Sequence, residues 1–302
     1  MEIIKPGTHI DFIGKRKIFL LLSSSLILLG VVFFFIQGGF NFGIDFAGGT
    51  VVELRFEKET PTKLVREGLK GINLGDSVIQ HFGDDREILI RVEKSESSLE
   101  GLQTQIKRAL EQQPGLPKFE VERTEMVGPQ VGKDLRKKAL LAISYALLGI
   151  IIYVAWRFEL KYGIAAIIAL VHDVLITLTA FLMTNKEINL PIIAALLAII
   201  GYSLNDTIVV FDRIRENMKA RRKEAYEVTI NKSINETLSR TLLTSLTTMV
   251  VVLCLFFLGG EVIHNFAFAL LIGIFVGTYS SIFIASPILV MWQPTSKKKS
   301  LL

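Results

Sequence analysis

Hydrophobic positions gather into six runs, 18–36, 139–156, 162–183, 190–211, 241–258 and 266–290, from which charge is almost absent. Each suits a helix of roughly 20 residues, the length that crosses a bilayer core of about 30 Å. A polar block, 37–138, separates the first run from the second, and within it the periodicity changes repeatedly. Thr50–Phe56 alternates on a period of two, with Val52, Leu54 and Phe56 on one face, and predicts a strand. Pro61 opens a short helix that places Leu64, Val65, Leu69 and Ile72 on one side. Ser77–Phe82 and Arg86–Val92 flank the turn Gly83-Asp84-Asp85 and predict a hairpin. Ser97–Gln112 reads as a helix with Leu99, Leu102, Ile106 and Leu110 at helical spacing, Glu100 completing a capping box from Ser97, and Pro114-Gly115 stopping it. Lys118–Met126 supplies a fourth strand. The order βαββαβ is that of a ferredoxin-like α+β plait with an open, helix-backed sheet.

The fold class expected is therefore an α-helical membrane protein of six transmembrane helices, with an external ferredoxin-like domain between helices 1 and 2. Its parts are a tail over 1–17, helix 1 over 18–36, the external domain over 37–138, a bundle of helices 2–6 over 139–292 and a basic tail over 293–302. Lys15, Arg16 and Lys17 precede the first run, whose length exceeds a cleavable signal's apolar core, so it reads as a signal anchor. Lys and Arg crowd the N-terminal tail, the 157–161 connection, the 212–239 loop and the C-terminal tail. The connections 184–189 and 259–265 carry only Lys186. Positive residues stay on the cytoplasmic side, which places both termini there and the 37–138 block outside.

Composition agrees: 50% of the 302 residues are hydrophobic and 21% charged, with a mean hydropathy of +0.46, too apolar for a soluble or a disordered chain. The formal charge of +5 lies in the short loops, where orientation and anionic membrane lipids explain it, so nucleic acid is not an expected partner. Cys254 has no second cysteine to pair with, and His9, His81, His172 and His264 are scattered, so neither a disulfide framework nor a metal site is predicted. No cofactor is called for, and the external domain suits a binding surface better than chemistry.

The residues that break the apolar pattern are the candidate machinery, because a charge near the bilayer centre costs at least roughly 2.5–3.5 kcal/mol. Asp173, beside His172, lies inside the third span, Asp206 near the inner end of the fourth, and Arg240 at the entrance of the fifth. At 1.5 Å per residue Asp206 stands roughly 8–9 Å above the cytoplasmic boundary, within reach of Arg240, with Asp173 deeper. Polar stripes surround them: Gly201, Tyr202, Asn205, Asp206, Val209 and Arg213 on the fourth helix, and Thr237, Arg240, Thr241, Thr244 and Thr248 on the fifth. Asp173, Thr177 and Ala180 form a stripe on the third, and Gly273, Gly277, Ser281 and Ala285 a small-residue face on the sixth. Burial favours a protonated carboxyl and a neighbouring guanidinium a charged one, so relative movement of Asp206 and Arg240 would change proton affinity. This predicts a proton or cation relay of Asp206, Arg240 and Asp173, supported by Asn205, Gly201 and Thr244. A static ion pair that fixes helix order is the simpler alternative.

Three strings then become recognisable: FGIDFAGG over Phe42–Gly49, VGPQVGKDL over Val127–Leu135, and GYSLNDTIVVFDRIREN over Gly201–Asn217, followed by NKSINETLSRTLLTSLTT over Asn231–Thr248. The chain closely resembles the SecF family of protein-export membrane proteins, within the SecD/SecF group of the resistance-nodulation-division superfamily. The resemblance implies a multi-pass inner-membrane subunit that pairs with SecD beside the SecYEG channel and uses the proton motive force, in a few relatives sodium, to promote preprotein export. It identifies Asp206 with the essential intramembrane aspartate, Arg240 with the basic residue facing it, and Gly43, Asp45, Gly48 and Gly49 with the motif at the outer end of helix 1. Ala47 stands where the family more often has Thr or Ser. Six spans make half of a twelve-helix arrangement, so a six-helix SecD-like partner is expected. The alternatives are half of a proton-driven exporter of small molecules or lipids, a passive translocon scaffold, and an intramembrane aspartyl protease built on Asp173 and Asp206. The last lacks the usual YD and GxGD signatures.

Overall fold

The computed structural model describes residues 9–92, 99–221 and 224–292; the Ser97 cap and the 293–302 tail lie outside these. In chain order the elements are α1 (Arg16–Gln37), α2 (Ile44–Ala47), β1 (Gly49–Phe56), α3 (Thr62–Lys70), β2 (Val78–Phe82), β3 (Asp84–Val92), α4 (Leu99–Glu111) and β4 (Phe119–Val127). The helices α5 (Pro129–Arg157), α6 (Leu160–Thr184), α7 (Leu190–Ala220), α8 (Tyr226–Leu258) and α9 (Glu261–Ser280) follow, then a π-helical turn (Ser281–Ala285) and α10 (Ser286–Met291). Among the described residues six helices are long and apolar enough to cross a membrane, the sixth being the continuous run Val262–Met291.

Two compact units result. One of them, termed the external unit after the expectation from the loop charges, comprises Phe42–Leu141 together with Glu187–Leu190, a slightly different set from the expected 37–138. Its four strands pair in the order β2-β3-β1-β4, all antiparallel, as a βαββαβ plait requires. The period-two pattern of β1 puts Val52, Leu54 and Phe56 inward, where they meet Ile88 and Ile90 of β3, Val65 and Leu69 of α3, and Leu102, Ile106 and Leu110 of α4. Two boundaries shift from expectation. Pro61 caps α3 from outside it instead of occupying the first helical position. Asp84 already pairs with Phe82, so Gly83 turns the chain alone at φ +78°, a conformation that glycine adopts at no steric cost.

The opposite face of the sheet is charged. Arg55 bonds Glu122 at 2.9 Å and lies 3.5 Å from Glu87, while Glu53 is almost fully buried. Burial, aided by Glu122, Glu87 and Glu125 and opposed by Arg123, pushes the Glu53 carboxyl above its ordinary range. The folded state thus holds this proton more tightly than the unfolded chain, and Glu53 costs stability as pH rises from about 4.5 through the raised value. Glu53→Gln is expected to leave stability near pH 4 unchanged and to raise it near pH 7, read as slower proteolysis of the external unit; equal rates at pH 7 would contradict the assignment.

In the helical unit, α6 and the α9–π–α10 run lie at the centre, with Ala165, Ala169, Ala285 and Leu289 fully buried. The small-residue face is buried throughout: a Cβ on Gly273 would collide with Ile199, and one on Gly277 would stand 2.9 Å from Ser203 Cβ, so α9 packs directly on α7. Large apolar side chains such as Leu21 and Phe35 of α1, and Ile152 and Trp156 of α5, point outward, as helices surrounded by lipid or by further helices do.

The 212–239 stretch departs most from expectation. It is not a loop: α7 continues to Ala220 and α8 begins at Tyr226. No Gly or Pro interrupts it, and Glu236 ties the two helices by accepting from Arg213 at 2.6 Å, Asn217 at 2.7 Å and Arg221 at 3.0 Å. The preceding chain is held nearby, since Asn231 accepts the Phe12 N–H at 2.8 Å, Asn235 accepts that of Ile10 at 2.8 Å, and both amides donate to the Ile10 carbonyl.

Candidate functional site

Asp173 is 1% exposed, and both of its carboxylate oxygens have hydrogen-bond partners. Its Oδ2 accepts from Ser203 Oγ of α7 at 2.5 Å and from Ser280 Oγ of α9 at 2.8 Å. Its Oδ1 lies 2.9 Å from Nδ1 of the adjacent His172. One carboxylate therefore joins three helices. The His172 ring stacks on Tyr279, with centroids 6.0 Å apart and planes at 24°, and the Tyr279 hydroxyl bonds Ser23 at 2.9 Å and the Phe19 carbonyl at 2.8 Å, both on α1. His172 Nε2 is buried with no hydrogen-bond partner among the described residues. Directly after Ser280 the helix widens into its π turn, a feature common at functional sites.

Asp206 lies three residues beyond Ser203, roughly 4.5 Å farther along α7, and is 2% exposed. It accepts from Ser245 Oγ of α8 at 3.3 Å, and Ser245 Oγ stands 2.6 Å from Thr278 Oγ1 of α9. Thr278 precedes Ser280 by two residues, so the Asp206 and Asp173 groups attach within a single turn of the same helix.

The expected Asp206–Arg240 ion pair is not made: among the described residues Arg240 has no carboxylate within 4.0 Å, and its side chain is exposed. Helix register gives the reason. Ser245 is the α8 residue level with Asp206, and Arg240, five residues earlier, is displaced roughly 7.5 Å along the axis and about 140° around it. The supporting residues divide likewise. Gly201 and Asn205 lie on the exposed side of α7, Tyr202 reaches Thr248 at 3.4 Å, and Thr244 Oγ1 donates to the Arg240 carbonyl at 3.1 Å.

Sequence reasoning passed over Ser203, Ser245, Thr278 and Ser280, the hydroxyls that contact or link the carboxylates. The available signal was spacing, since Ser203 precedes Asp206 by three and Ser245 follows Thr241 by four on the stripe already singled out. No hydrogen bond joins Asp173 to Asp206, and each holds its own hydroxyls, an arrangement unlike the proton-sharing pair of an aspartyl protease. Among the described residues no three His, Cys, Asp or Glu side chains gather as metal ligands do.

At the outer end, the Phe42–Gly49 motif folds within the external unit. Asp45 Oδ2 accepts the Leu190 N–H at 2.8 Å, and the Gly43 N–H donates to the Ile188 carbonyl at 2.9 Å. Gly48, at φ +76°, holds a conformation that disfavours a side chain, and a Cβ there would crowd Pro129 Cα at 3.0 Å; Gly49 begins β1 at φ +122°. Arg136 of α5 donates to the Phe46 carbonyl at 3.0 Å and lies 4.8 Å over the Phe42 ring.

Two family descriptions match: "Protein export membrane protein SecD/SecF, C-terminal" over residues 106–295 and "SecD/SecF GG Motif" over residues 33–60. The protein translocase subunit SecF of Calditerrivibrio nitroreducens is 52% identical over 301 residues, covering 99% of each chain. That of Magnetococcus marinus is 48% identical over 302 residues, covering 99% of this chain and 97% of the relative. Among solved structures, SecDF of Thermus thermophilus, described as a translocon-associated membrane protein, superposes with a TM-score of 0.86 at 40% identity. That match covers 95% of this chain but only 39% of the longer SecDF chain.

Proposed function

We infer the function from one premise: the chain belongs to the SecD/SecF family of protein export membrane proteins and is of the SecF type. It is a multi-pass membrane subunit, auxiliary to the Sec protein translocase. Our reading goes further. The chain pairs with SecD in the inner membrane beside the SecYEG channel, with both termini cytoplasmic, and couples the proton motive force to preprotein export. No catalytic chemistry and no cofactor enter this reading; the driving ligand is the proton. Asp206 and Asp173 take up and release it, and Arg240 biases the charge state of Asp206 from a distance.

The observation that supports this most is the pair of hydroxyl-bonded buried carboxyls. A side chain as buried as Asp206, with a serine hydroxyl as its contact, has no contacting counter-charge among the described residues, and a charge held in the membrane without one is costly. Gain or loss of a proton there changes how α7, α8 and α9 pack. Moving one elementary charge across 100 mV releases roughly 2.3 kcal/mol, enough to shift a two-state helix arrangement by about 50-fold. The 39% share of the SecDF chain that this one matches fits a half-assembly that needs its SecD counterpart.

Export of a secretory preprotein into sealed inner-membrane vesicles tests the reading, comparing vesicles depleted of this chain with vesicles supplied with it. The expected result is a stimulation by an imposed proton gradient that appears only when the chain is present. Equal stimulation without it would overturn the coupling role and leave a scaffold.

A further inference from the structure

The fourth membrane-spanning helix, α7, carries Asp206, yet its first residue belongs to the external unit. Leu190 folds with Phe42–Leu141, and from Pro191 onward the helix belongs to the helical unit. A helix start leaves several N–H groups without intrahelical acceptors. Pro191 has no N–H to offer, so Leu190 is the first donor that needs an acceptor, and Asp45 Oδ2 supplies it across 145 residues of sequence.

The preceding residues are held to the same unit. Ile188 forms a parallel bridge with Phe42 and accepts the Gly43 N–H. Glu187 pairs at 3.3 Å with Arg91 of β3, whose side chain is 8% exposed and which also donates to the Phe42 carbonyl at 2.7 Å. Segment 187–190 is thus bonded to the glycine-rich motif and, through Arg91, to the second strand of the sheet order.

We propose that Asp45 is a positioning residue that fixes the start of α7 to the external unit, so that movement of the Asp206 helix is passed to the sheet instead of being absorbed in the connection. This rests on the proton-coupled reading of Asp206. Of the glycines around Asp45, Gly43 serves the same attachment, since a Cβ there would stand 3.3 Å from Asn189 Cβ, whereas Gly48 makes room for Pro129. An ordinary loop cap needs only the single hydrogen bond; Arg91, Glu187 and the Phe42–Ile188 bridge make the attachment multiple.

Amide hydrogen exchange on the complete chain assembled with its partner subunit tests this. The variants are Asp206→Asn, Asp45→Ala and Asp45→Asn, singly and with Asp206→Asn. Asp45→Ala should speed exchange at Leu190 about five-fold, the effect of a lost helix cap. Asp45→Asn, which keeps an acceptor oxygen, should not. Asp206→Asn should alter exchange in 187–190 and 42–49 together, and in the Asp45→Ala background the change should stop before 42–49. If the change reaches 42–49 undiminished in that background, or never reaches it, the positioning role is overturned. Failure of the underlying reading registers separately, as gradient-stimulated export that survives Asp206→Asn.

Discussion

Asp206→Asn should remove the gradient-stimulated component of preprotein export, about ten-fold or more, while assembly and gradient-independent export stay at wild-type level. Asparagine has the same shape, and its amide oxygen can still accept from Ser245, so the α7–α8 contact survives. What disappears is the capacity to change charge, and with it the roughly 2.3 kcal/mol per 100 mV that a moving proton delivers. Asp206→Glu should retain part of the stimulation, because the carboxyl persists while its extra methylene crowds a buried site. The measurement is export into sealed vesicles at matched subunit levels, with and without a gradient.

Asp173→Ala should act on stability first. It strips the acceptor from Ser203 and Ser280 and the partner from His172 Nδ1 at once. Buried inside a protein, an unpaired polar group costs about 1–3 kcal/mol, but serine can fall back on its own helix carbonyls, as Ser280 already does with Gly277 at 3.2 Å. A net loss of about 2 kcal/mol is expected, seen as a lower unfolding temperature in detergent. Asp173→Asn should lose less, since it still accepts from one serine. An unfolding temperature unchanged by Asp173→Ala would mean that the three-helix junction contributes nothing to packing.

These two aspartates also mark where sequence reasoning reached and where it stopped. Elements governed by local periodicity were legible: the alternation of Val52, Leu54 and Phe56 gave the inward face of β1, and the spacing of Leu102, Ile106 and Leu110 gave that of α4. The six apolar runs gave the spans, and Gly273 and Gly277 marked a face for close helix contact, though not that α7 would fill it. The ends of α7 and α8 were not legible, because charge in 212–239 suggests a loop when it instead builds the pairing around Glu236. The partners of the buried carboxylates lie beyond any local pattern: Ser280 is 107 residues from Asp173, Ser245 is 39 from Asp206, and Leu190 is 145 from Asp45. Depth arithmetic placed Arg240 within reach of Asp206 but could not fix the rotation of α8, which turns Ser245 inward and Arg240 outward.

The relay and the outer attachment then describe one device. In the proposed relay Asp206 changes charge within α7, α8 and α9, and the first residue of the same α7 is bonded to the motif that opens the external unit.

The central claim is that protons pass by way of Asp206, and proton flux through the purified complex in sealed liposomes, followed with an internal pH-sensitive dye while a preprotein engages the channel, tests it most directly. The account predicts internal pH changes for the wild-type chain that Asp206→Asn reduces to the level of empty liposomes. Wild-type flux through Asp206→Asn would contradict it and leave the buried carboxylates as structural ties between helices.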